Sequence, residues 1–430
     1  MSINNSNPRM KAIEEITSIL NGDNYKSTDI EDAFYRSLIS HALRRLGEIH
    51  FYLKKYIKKP LKTDQNHILA NLIIGAVQII YMRVPSYAAV NDSVKLAKKN
   101  TPHHFKFINA VLRQLSRDME NKKLEKLSPI NNIPNEIINK WKNELSEDQL
   151  IKIAKQHLLA PPALDISISA KENINKWKVS LKGKSFGKNN IRLLNNYGKI
   201  DKLNGYKEGK WWIQDIAAQL PVKILLAKLK KDAYVIDLCA APGGKTAQLL
   251  SNNLNVTSIE SNSMRAKILE SNLKRLNLKT ELVIKNANQY KPKKLADAIL
   301  LDAPCSSSGT IRKNPDILWR LSNIKNNYLS NLNSLLKIQS NLLYSASKML
   351  KTRGTLVYSV CSLDEDEGVN QIVDFMKKNS KFIIDPINEA EIDITKQAIT
   401  KEGFIRTLPF FNSELGGMDG FFIARLIKTN

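Results

Sequence analysis

The sequence predicts a multi-domain protein with an all-α amino-terminal domain, a small α/β segment, and a carboxyl-terminal α/β domain built on a parallel sheet. The chain has 430 residues, too many for one ordinary domain. Apolar residues recur at three- and four-residue spacing up to about residue 120, whereas short apolar runs alternate with helical patterns from residue 233 onward. We therefore expect domains at residues 1–128, 136–232 and 233–430.

The first domain is predicted to be a succession of amphipathic helices. Apolar residues share one helical face in three segments, at residues 13–20, 68–80 and 107–115. Pro85 should end one helix, and Ser86 is a candidate cap for the next. This part of the chain is therefore expected to be entirely helical.

The middle segment follows a linker. Residues 121–135 combine charge, asparagine and two prolines without an apolar period, which is typical of a linker. Helical periodicity then ends at Pro161 and Pro162, and residues 164–169 alternate between apolar and polar. That alternation predicts a half-buried strand.

Cations and aromatic rings are interleaved between residues 171 and 212. This stretch holds 11 basic and three acidic side chains and three of the five tryptophans. A surface for single-stranded nucleic acid needs cations for phosphates and ring faces for unstacked bases. The alternative is a solvated cationic face over a core of aromatic residues, and the sequence favours neither.

The overall charge indicates a polyanionic partner. Lys and Arg number 66 against 41 Asp and Glu, which leaves a net charge of +25 and a pI near 9.7. The alternative is a compositional drift toward lysine and asparagine. The most apolar run, residues 72–84, is interrupted by Gln78 and Arg83, so no membrane span is expected. The first 20 residues lack the apolar core of a secretory signal, and we expect a cytoplasmic location.

The distribution of cysteine and histidine excludes several kinds of site. The three cysteines follow residue 238, whereas all six histidines precede residue 158. No C-x-x-C pair exists, and a Cys/His zinc site would have to be assembled across domains, so we expect no metal. The carboxyl half also lacks a histidine base, and its chemistry must use other groups.

Five short apolar runs in the carboxyl half are predicted to be strands of a parallel sheet. Helical patterns at residues 266–276 and 335–350 separate several of them, as crossover helices do. Ligands bind at the carboxyl ends of such strands. The predicted strands are residues 234–238, 256–259, 282–284, 298–301 and 355–359.

The first of these strands leads into a small-residue loop, DLCAAPGGKT at residues 237–246. Small residues let a ligand approach the backbone, and the following helix offers free N–H groups. A P-loop would require glycine where Cys239 stands, and the dinucleotide fingerprint is absent. Glu260, at the end of the second strand, is placed to hydrogen-bond a ribose diol.

All three thiols follow predicted strands at the ligand-binding edge. Cys305 lies in DAPCSSSG at residues 302–309, and Cys361 lies in SVCS at residues 359–362. A single buried cysteine is usually only a small apolar side chain. Three at one edge favour a chemical role.

These motifs resemble those of the S-adenosylmethionine-dependent RNA cytosine C5 methyltransferases, the Sun/NOL1/NOP2 group. Further similar segments are WWIQD, RKNPDILWR and DGFFIARL, at residues 211–215, 312–320 and 419–426. In the first domain, RVPSYAAVNDSVKLAK and FINAVLRQL resemble the helical RNA-binding domain of the antitermination factor NusB. The resemblance implies a NusB-like domain, an RNA-binding middle segment and a Rossmann-like class I methyltransferase domain.

The resemblance also implies the cofactor, the partner and the roles of the site residues. A NusB-like domain fused to this kind of methyltransferase is the arrangement of bacterial members that modify small-subunit (16S) ribosomal RNA, and we expect a monomer. By resemblance Cys361 is the nucleophile that adds to cytosine C6, Cys305 assists release, and Asp302 binds the N3 edge. Lys245 is a candidate for lowering the thiol pKa. The implied contacts to S-adenosylmethionine are Cys239, Ala240, Ala241, Pro242, Gly243, Gly244, Lys245, Glu260, Ala287 and Asp302.

One position departs from the family pattern. Ala287 stands where the family usually has an acidic residue near the adenine, and a backbone contact there or the Asn288 amide would have to replace it. Two alternatives remain open: the same chemistry on transfer or large-subunit ribosomal RNA, and a non-catalytic RNA-binding factor for ribosome assembly.

Overall fold

A computed structural model describes residues 7–23, 32–193, 197–322 and 328–429. Contacts between its residues divide the chain into two compact units. The helical unit comprises Met1–Leu159 and Lys313–Asn331, and the sheet unit comprises Ala160–Arg312 and Leu332–Asn430. The three domains expected from the sequence stay a prediction, because the sheet unit contains both the middle segment and the parallel sheet.

Helices form most of the helical unit, and the sheet unit has helices of its own that pack on its strands. They are α1 (Pro8–Leu20), α2 (Ala33–Arg44), α3 (Leu46–Lys54), α4 (Asn66–Ile80), α5 (Ser86–Asn100), α6 (Phe105–Glu120), α7 (Asn135–Trp141), α8 (Glu147–Leu158), α9 (Ile174–Ser180), α10 (Ile216–Leu226), α11 (Gly244–Ser251), α12 (Ser263–Arg275), α13 (Ile317–Leu321), α14 (Tyr328–Met349) and α15 (Val369–Lys378).

The core of the helical unit is built around α4. Almost every side chain from Ile68 to Ile79 is buried, and α1, α2, α5 and α6 pack against this helix. A helix that is apolar on all sides belongs in the middle of a bundle. The predicted succession of helices is confirmed.

The predicted cap at Ser86 is wrong. α5 begins at Ser86 itself, Pro85 occupies the N-cap position, and among the described residues no side chain caps the first turn. The Pro85 carbonyl accepts the N–H groups of Ala88 and Ala89. Proline suits this position because it lacks an N–H and its φ is fixed near the required value.

The middle segment forms a small antiparallel sheet in the order β2-β3-β1-β4. Its strands are β1 (Leu164–Ile168), β2 (Lys184–Ser185), β3 (Asn190–Leu193) and β4 (Trp211–Ile213). The strand predicted at residues 164–169 is present, but it is not half-exposed. Asp165 is buried because it forms a two-pronged ion pair with buried Arg192, with N···O distances of 2.6 and 2.7 Å. Ser167 is buried because its hydroxyl donates to Gln214.

The burial of the tryptophans decides between the two alternatives for residues 171–212, a stacking surface for bases or a cationic face over an aromatic core. Trp177, Trp211 and Trp212 are at most 6% exposed and pack in apolar cores, so these rings offer no faces to bases. Nine of the 11 basic side chains in the stretch are exposed. The burial of these three rings therefore favours the second alternative, a cationic face over an aromatic core.

The large sheet of the sheet unit has the order β10-β12-β9-β8-β5-β6-β7, with β11 paired to β12. All five predicted strands are present and run parallel to one another. Three further strands run antiparallel at the β9 side, which the sequence reasoning did not predict. The strands are β5 (Tyr234–Leu238), β6 (Asn255–Glu260), β7 (Glu281–Ile284), β8 (Ala296–Asp302), β9 (Leu350–Val360), β10 (Phe382–Ile384), β11 (Ile405–Thr407) and β12 (Phe421–Lys428).

Within the described ranges, none of the helices is both long enough and apolar enough to cross a membrane.

Candidate active site

The candidate residues gather where the neighbouring strands β5, β8 and β9 end. Leu238 of β5 pairs with Leu301 of β8, and Asp302 of β8 pairs with Ser359 of β9. Because these strands are parallel and in register, the loops that follow them begin at one edge of the sheet. We call it the carboxyl edge.

The loop after β5 is held in a tight, left-handed path. Cys239 has φ +60° and Gly243 has φ +102°, and α11 begins immediately afterwards at Gly244. A Cβ atom at Gly243 would lie 3.2 Å from the Leu269 side chain, so both the backbone angle and the space favour glycine. Asn272 donates to the Pro242 carbonyl at 2.9 Å, which ties the loop to α12.

Glu260 lies under this loop. Its carboxylate accepts the backbone N–H groups of Asn262 and Ala241, at 3.0 and 3.3 Å, and it is 2% exposed. Arg265 lies 3.7 Å from the same carboxylate and donates to the Ala241 carbonyl at 2.7 Å. Glu260 therefore connects β6 to the loop after β5.

Lys245 and Asp302 form an ion pair at the same edge. The ammonium of Lys245 lies 2.7 Å from Asp302 Oδ2, and the Ser359 hydroxyl donates to Asp302 Oδ1 at 2.8 Å. Burial works to lower the pKa of Lys245, but the Asp302 charge outweighs it and the net shift is upward. Lys245 therefore stays protonated near neutral pH, beside a carboxylate that remains partly accessible.

The sulfur atoms of Cys305 and Cys361 lie 3.5 Å apart. The Ser307 hydroxyl also lies 3.5 Å from the Cys361 sulfur. These contacts join the loop after β8 to the loop after β9. The sequence predicted that both thiols would share one edge, and the structure brings them into direct contact.

The two thiols have opposite pKa shifts. The pKa of Cys361 is lowered, mainly because Cys305 donates a hydrogen bond to its thiolate, with Ser307 and then Lys245 adding smaller effects in the same direction. The pKa of Cys305 is raised well above its ordinary value, mainly because it keeps the proton that it shares with Cys361. The Lys245 charge thus favours the Cys361 thiolate, but the hydrogen bond from Cys305 is the larger cause.

A buried polar network supports the Cys305 loop. Glu367 is fully buried, and its carboxylate accepts the backbone N–H of Ser306 at 2.9 Å, the Ser306 hydroxyl at 2.5 Å and the Gln339 amide at 2.9 Å. Gln339 also donates to the Pro304 carbonyl at 3.0 Å. The negative charge of Glu367 contributes to the raised pKa of Cys305.

Gly309 allows the two cysteine loops to pack closely. Its N–H donates to the Cys361 carbonyl at 3.0 Å, and its carbonyl accepts the Gly420 N–H at 2.8 Å. A Cβ atom at Gly309 would lie 2.0 Å from the Gly420 carbonyl oxygen, so no larger residue fits.

Asp237, the last polar residue of β5, is fully buried. Thr246 donates to its Oδ2 at 2.6 Å, whereas its Oδ1 has no hydrogen-bond partner among the described residues. Burial raises the pKa of Asp237 to about 7. Burial likewise raises the pKa of the neighbouring Cys239 to about 12, so this third thiol stays protonated.

The departure from the family pattern, Ala287, lies in a short turn after β7 and is buried. The side-chain oxygen of Asn288 accepts a hydrogen bond from Ser345 of α14 at 2.9 Å. The side-chain oxygen of Asn288 is thus engaged with α14, and the contact of Ala287 or Asn288 with the cofactor stays a prediction.

Sequence reasoning missed four residues whose side chains form hydrogen bonds with Asp302 or with the two cysteine loops. They are Ser307, Ser359, Glu367 and Gln339, and two of the four, Ser307 and Ser359, lie in the quoted motifs. The run of three serines after Cys305 was the available signal, because so many hydroxyls in one loop indicate a hydrogen-bonded network. Gln339 gave no signal, since it is one polar residue in a long helix.

S-adenosylmethionine carries a positive sulfonium and a positive ammonium, and both favour nearby carboxyl groups. Asp237, Glu260 and Asp302 place three carboxyl groups around the loop after β5, and Asp237 has an oxygen that still lacks a donor. The helix α11 begins at this loop, directly after Gly243. The charges therefore suit this cofactor.

The matches to known families agree with this site. Residues 223–427 match the family model of 16S rRNA methyltransferase RsmB/F, and residues 1–117 match that of the NusB family. The chain is 31% identical over 308 residues to the ribosomal RNA small subunit methyltransferase B of Vibrio vulnificus, a match that covers 67% of this chain and 71% of that one. It is 27% identical over 451 residues to the protein of the same name in Cronobacter sakazakii, over 99% of each chain.

Solved structures share the fold. The crystal structure of PH0851 has a TM-score of 0.76 at 21% identity and covers the whole of both chains. The structure of NSun6 from Pyrococcus horikoshii has a TM-score of 0.57 at 20% identity, over 69% of this chain and 98% of that one. The chain belongs to the 16S rRNA methyltransferase RsmB/F family and is a methyltransferase that depends on S-adenosylmethionine.

Proposed function

We propose that this enzyme methylates C5 of a cytosine in 16S ribosomal RNA, and that the reaction passes through a covalent bond between Cys361 and cytosine C6. The observation that carries the proposal is the contact between the two thiols, with the lowered pKa of Cys361 beside the raised pKa of Cys305. Attack on C6 requires a thiolate, and this pair supplies one without a histidine.

The first step is addition of the Cys361 thiolate to C6. A sulfur–carbon bond forms, the C5–C6 double bond is lost, and electron density moves toward N3. Asp302 is proposed to face N3, and the Lys245 ammonium, 2.7 Å away, supports a proton relay through the carboxyl group. Protonation at N3 removes the charge that would otherwise oppose the addition.

The ring is then an enamine, nucleophilic at C5. When bound, S-adenosylmethionine supplies the methyl group that C5 takes. The chain's residues must next remove the C5 proton, so that the C5–C6 double bond re-forms, the C6–S bond breaks and the electron pair returns to Cys361. The proton added at N3 returns to Asp302.

Cys305 is proposed to be the base for this release. Its pKa is raised by the hydrogen bond with Cys361, then by burial, and then by the charge of the Cys361 thiolate. The first and third causes vanish once Cys361 is bound to carbon, because a thioether carries no charge. The pKa of Cys305 therefore falls, its thiol proton passes to solvent, and the resulting thiolate accepts the C5 proton.

The experiment uses wild type, Cys305→Ala and Cys361→Ala with S-adenosylmethionine and unmodified 16S ribosomal RNA that carries tritium at cytosine C5. Wild type should release tritium as the methyl group enters. A protein–RNA adduct should accumulate on denaturing gels with Cys305→Ala, and it should be absent with Cys361→Ala. Circular dichroism of both variants checks that neither has unfolded.

Two results would contradict the proposal. Methylation without tritium release would mean that the methyl group is added to an atom other than C5. Full activity of Cys361→Ala would mean that the reaction needs no covalent bond to Cys361. Transfer RNA and large-subunit ribosomal RNA serve as comparison substrates, and preferential labelling of either one would overturn the assignment to 16S RNA.

A further inference from the structure

The sheet unit has cations at the edge opposite the thiols, which we call the amino edge. The loop before β5 contributes Lys228, Lys230 and Lys231, and the loop before β8 contributes Lys294. β5, β8 and β9 are neighbours, so the segments at their starts meet at this edge. We call the cations at these starts the amino-edge collar, and its members are Lys228, Lys230, Lys231, Lys294, Lys351 and Arg353.

The last two members of the collar, Lys351 and Arg353, lie in an irregular part of β9. Ala296 pairs with Leu350, whereas Ala298 pairs with Thr355, so residues 351–354 leave the ladder with β8. This bulge carries Lys351 and Arg353 outward, and both side chains are exposed. Bulges of this kind commonly re-aim side chains at the rim of a sheet.

An open crevice of about 440 Å³ is lined by five of the six collar members, all but Lys294. Lys351 is paired with Asp297 at 2.6 Å, and Lys228 is paired with Asp385 at 3.0 Å. In the part of the chain that the structure describes, no carboxylate oxygen lies within 4 Å of the other four cations, Lys230, Lys231, Lys294 and Arg353. The exposed carboxylate of Asp232 also lines the crevice, so an excess of three positive charges is left for an external anion.

At the carboxyl edge the carboxylates and cations lie close together. Asp237, Glu260 and Asp302 lie around the cofactor loop, where Lys245 is 2.7 Å from Asp302 and Arg265 is 3.7 Å from Glu260. Unpaired cations elsewhere on the sheet unit therefore add to the attraction of a polyanionic substrate. Six residue steps of β8, at about 3.3 Å each, place the collar roughly 20 Å from the thiols.

We propose that the amino-edge collar binds the phosphate backbone of the RNA substrate outside the target nucleotide. This inference rests on the proposed function only in taking RNA as the substrate. Exposed, flexible cations spread over several segments are typical of contacts to a nucleic-acid backbone, which position the molecule without reading its sequence. A site for one small phosphate would instead be enclosed by buried donors.

The test compares two triple variants of the full chain. Lys230→Gln/Lys231→Gln/Arg353→Gln neutralises the three collar members that line the crevice without a carboxylate partner. The matched control, Lys378→Gln/Lys396→Gln/Lys401→Gln, neutralises three exposed cations outside it. Binding of fluorescein-labelled fragments of 16S RNA is measured by anisotropy at several salt concentrations. One fragment is long enough to span the roughly 20 Å between the two edges, and the other is too short.

The collar variant should bind the long fragment more weakly than wild type, and its log–log salt slope should be shallower by about 2, from three contacts at about 0.7 each. Its affinity for the short fragment and its kcat at saturating RNA should be unchanged, as should all properties of the control. Equal affinity and slope for both triple variants on the long fragment would overturn the proposal. So would an equal loss on both fragments, or an effect confined to binding of inorganic phosphate measured by calorimetry.

Failure of this inference is distinct from failure of the proposed function. If wild type methylates 16S RNA and the collar variant binds the long fragment normally, only the collar is wrong. If wild type binds the RNA without methylating it, the difference between the two triple variants still decides the role of the collar.

Discussion

The sulfur atoms of Cys305 and Cys361 are separated by 56 positions in the chain and by 3.5 Å in space. Cys305 donates a hydrogen bond to the Cys361 thiolate, and this bond lowers the pKa of Cys361 and raises the pKa of Cys305. This asymmetry lets two identical side chains have different roles, and it underlies the first two predictions.

Alkylation by iodoacetamide should follow the thiolate fraction of each cysteine. Because the pKa of Cys361 is lowered, its rate should reach half of its maximum below pH 9.0, the ordinary value for the group. In Cys305→Ala the hydrogen bond is lost, and this midpoint should move to higher pH. Ser307→Ala should cause a smaller move in the same direction. Mass spectrometry of the modified peptide gives the rates, and one common pH profile for all three proteins would refute the account.

Replacing Glu367 by Gln should lower the pKa of Cys305, because the negative charge beside the thiol is removed while most of the side-chain shape is kept. In a Cys361→Ala background, Cys305 should then be alkylated at lower pH than in the Cys361→Ala parent. Glu367→Ala should in addition destabilise the protein by about 1–3 kcal/mol, since Ser306 and Gln339 lose a buried acceptor. An unchanged Cys305 profile in the Gln variant would show that the charge has no influence on the thiol.

Asp237 should make stability depend on pH. Its pKa is about 7 in the folded protein against an ordinary value of 3.8, so the folded state resists the loss of this proton. The unfolded state therefore gains stability relative to the folded one as pH rises from about 4 to about 7, and the effect is constant above that. Asp237→Asn does not titrate, so its stability relative to wild type should rise over this range by a few kcal/mol, at most about 4.

The measurement is urea unfolding of wild type and Asp237→Asn at pH 5, 6, 7 and 8, without cofactor. Asparagine retains an oxygen that can accept the Thr246 hydrogen bond, so the comparison isolates the charge. A constant difference between the two proteins across this range would contradict the raised pKa.

The buried ion pair between Asp165 and Arg192 should be costly to break from one side. Both side chains are almost completely buried, so removing one partner leaves an uncompensated charge. Arg192→Met should destabilise the protein by about 3–5 kcal/mol in urea unfolding, and Lys184→Met, on the exposed neighbouring strand, should change it little. The double variant Asp165→Asn/Arg192→Met should lose less than Arg192→Met alone; a larger, additive loss would mean that the two residues act independently.

Local pattern predicted most of the secondary structure but not its burial. The apolar periods found the helices around α4 and the five parallel strands, because those periods reflect which face of each element is buried. The alternation of apolar and polar residues in β1 predicted that one face of this strand would be exposed, but that face is buried. Asp165 and Ser167 are polar yet buried, since their partners, Arg192 and Gln214, come from strands and loops far along the chain.

By itself the sequence determined the order of helices and strands, the motifs at the carboxyl edge, and the expectation that Cys305 and Cys361 share that edge. These depend on local spacing and on the rule that parallel strands end together. The tertiary structure decided what depends on contacts between distant residues: the shared proton of the two thiols, the buried charge of Glu367 beneath them, the burial of the tryptophans, and the cations gathered at the amino edge. The physical reason is that hydrogen bonding and desolvation act over a few ångströms in space, and no spacing along the chain specifies which groups become neighbours.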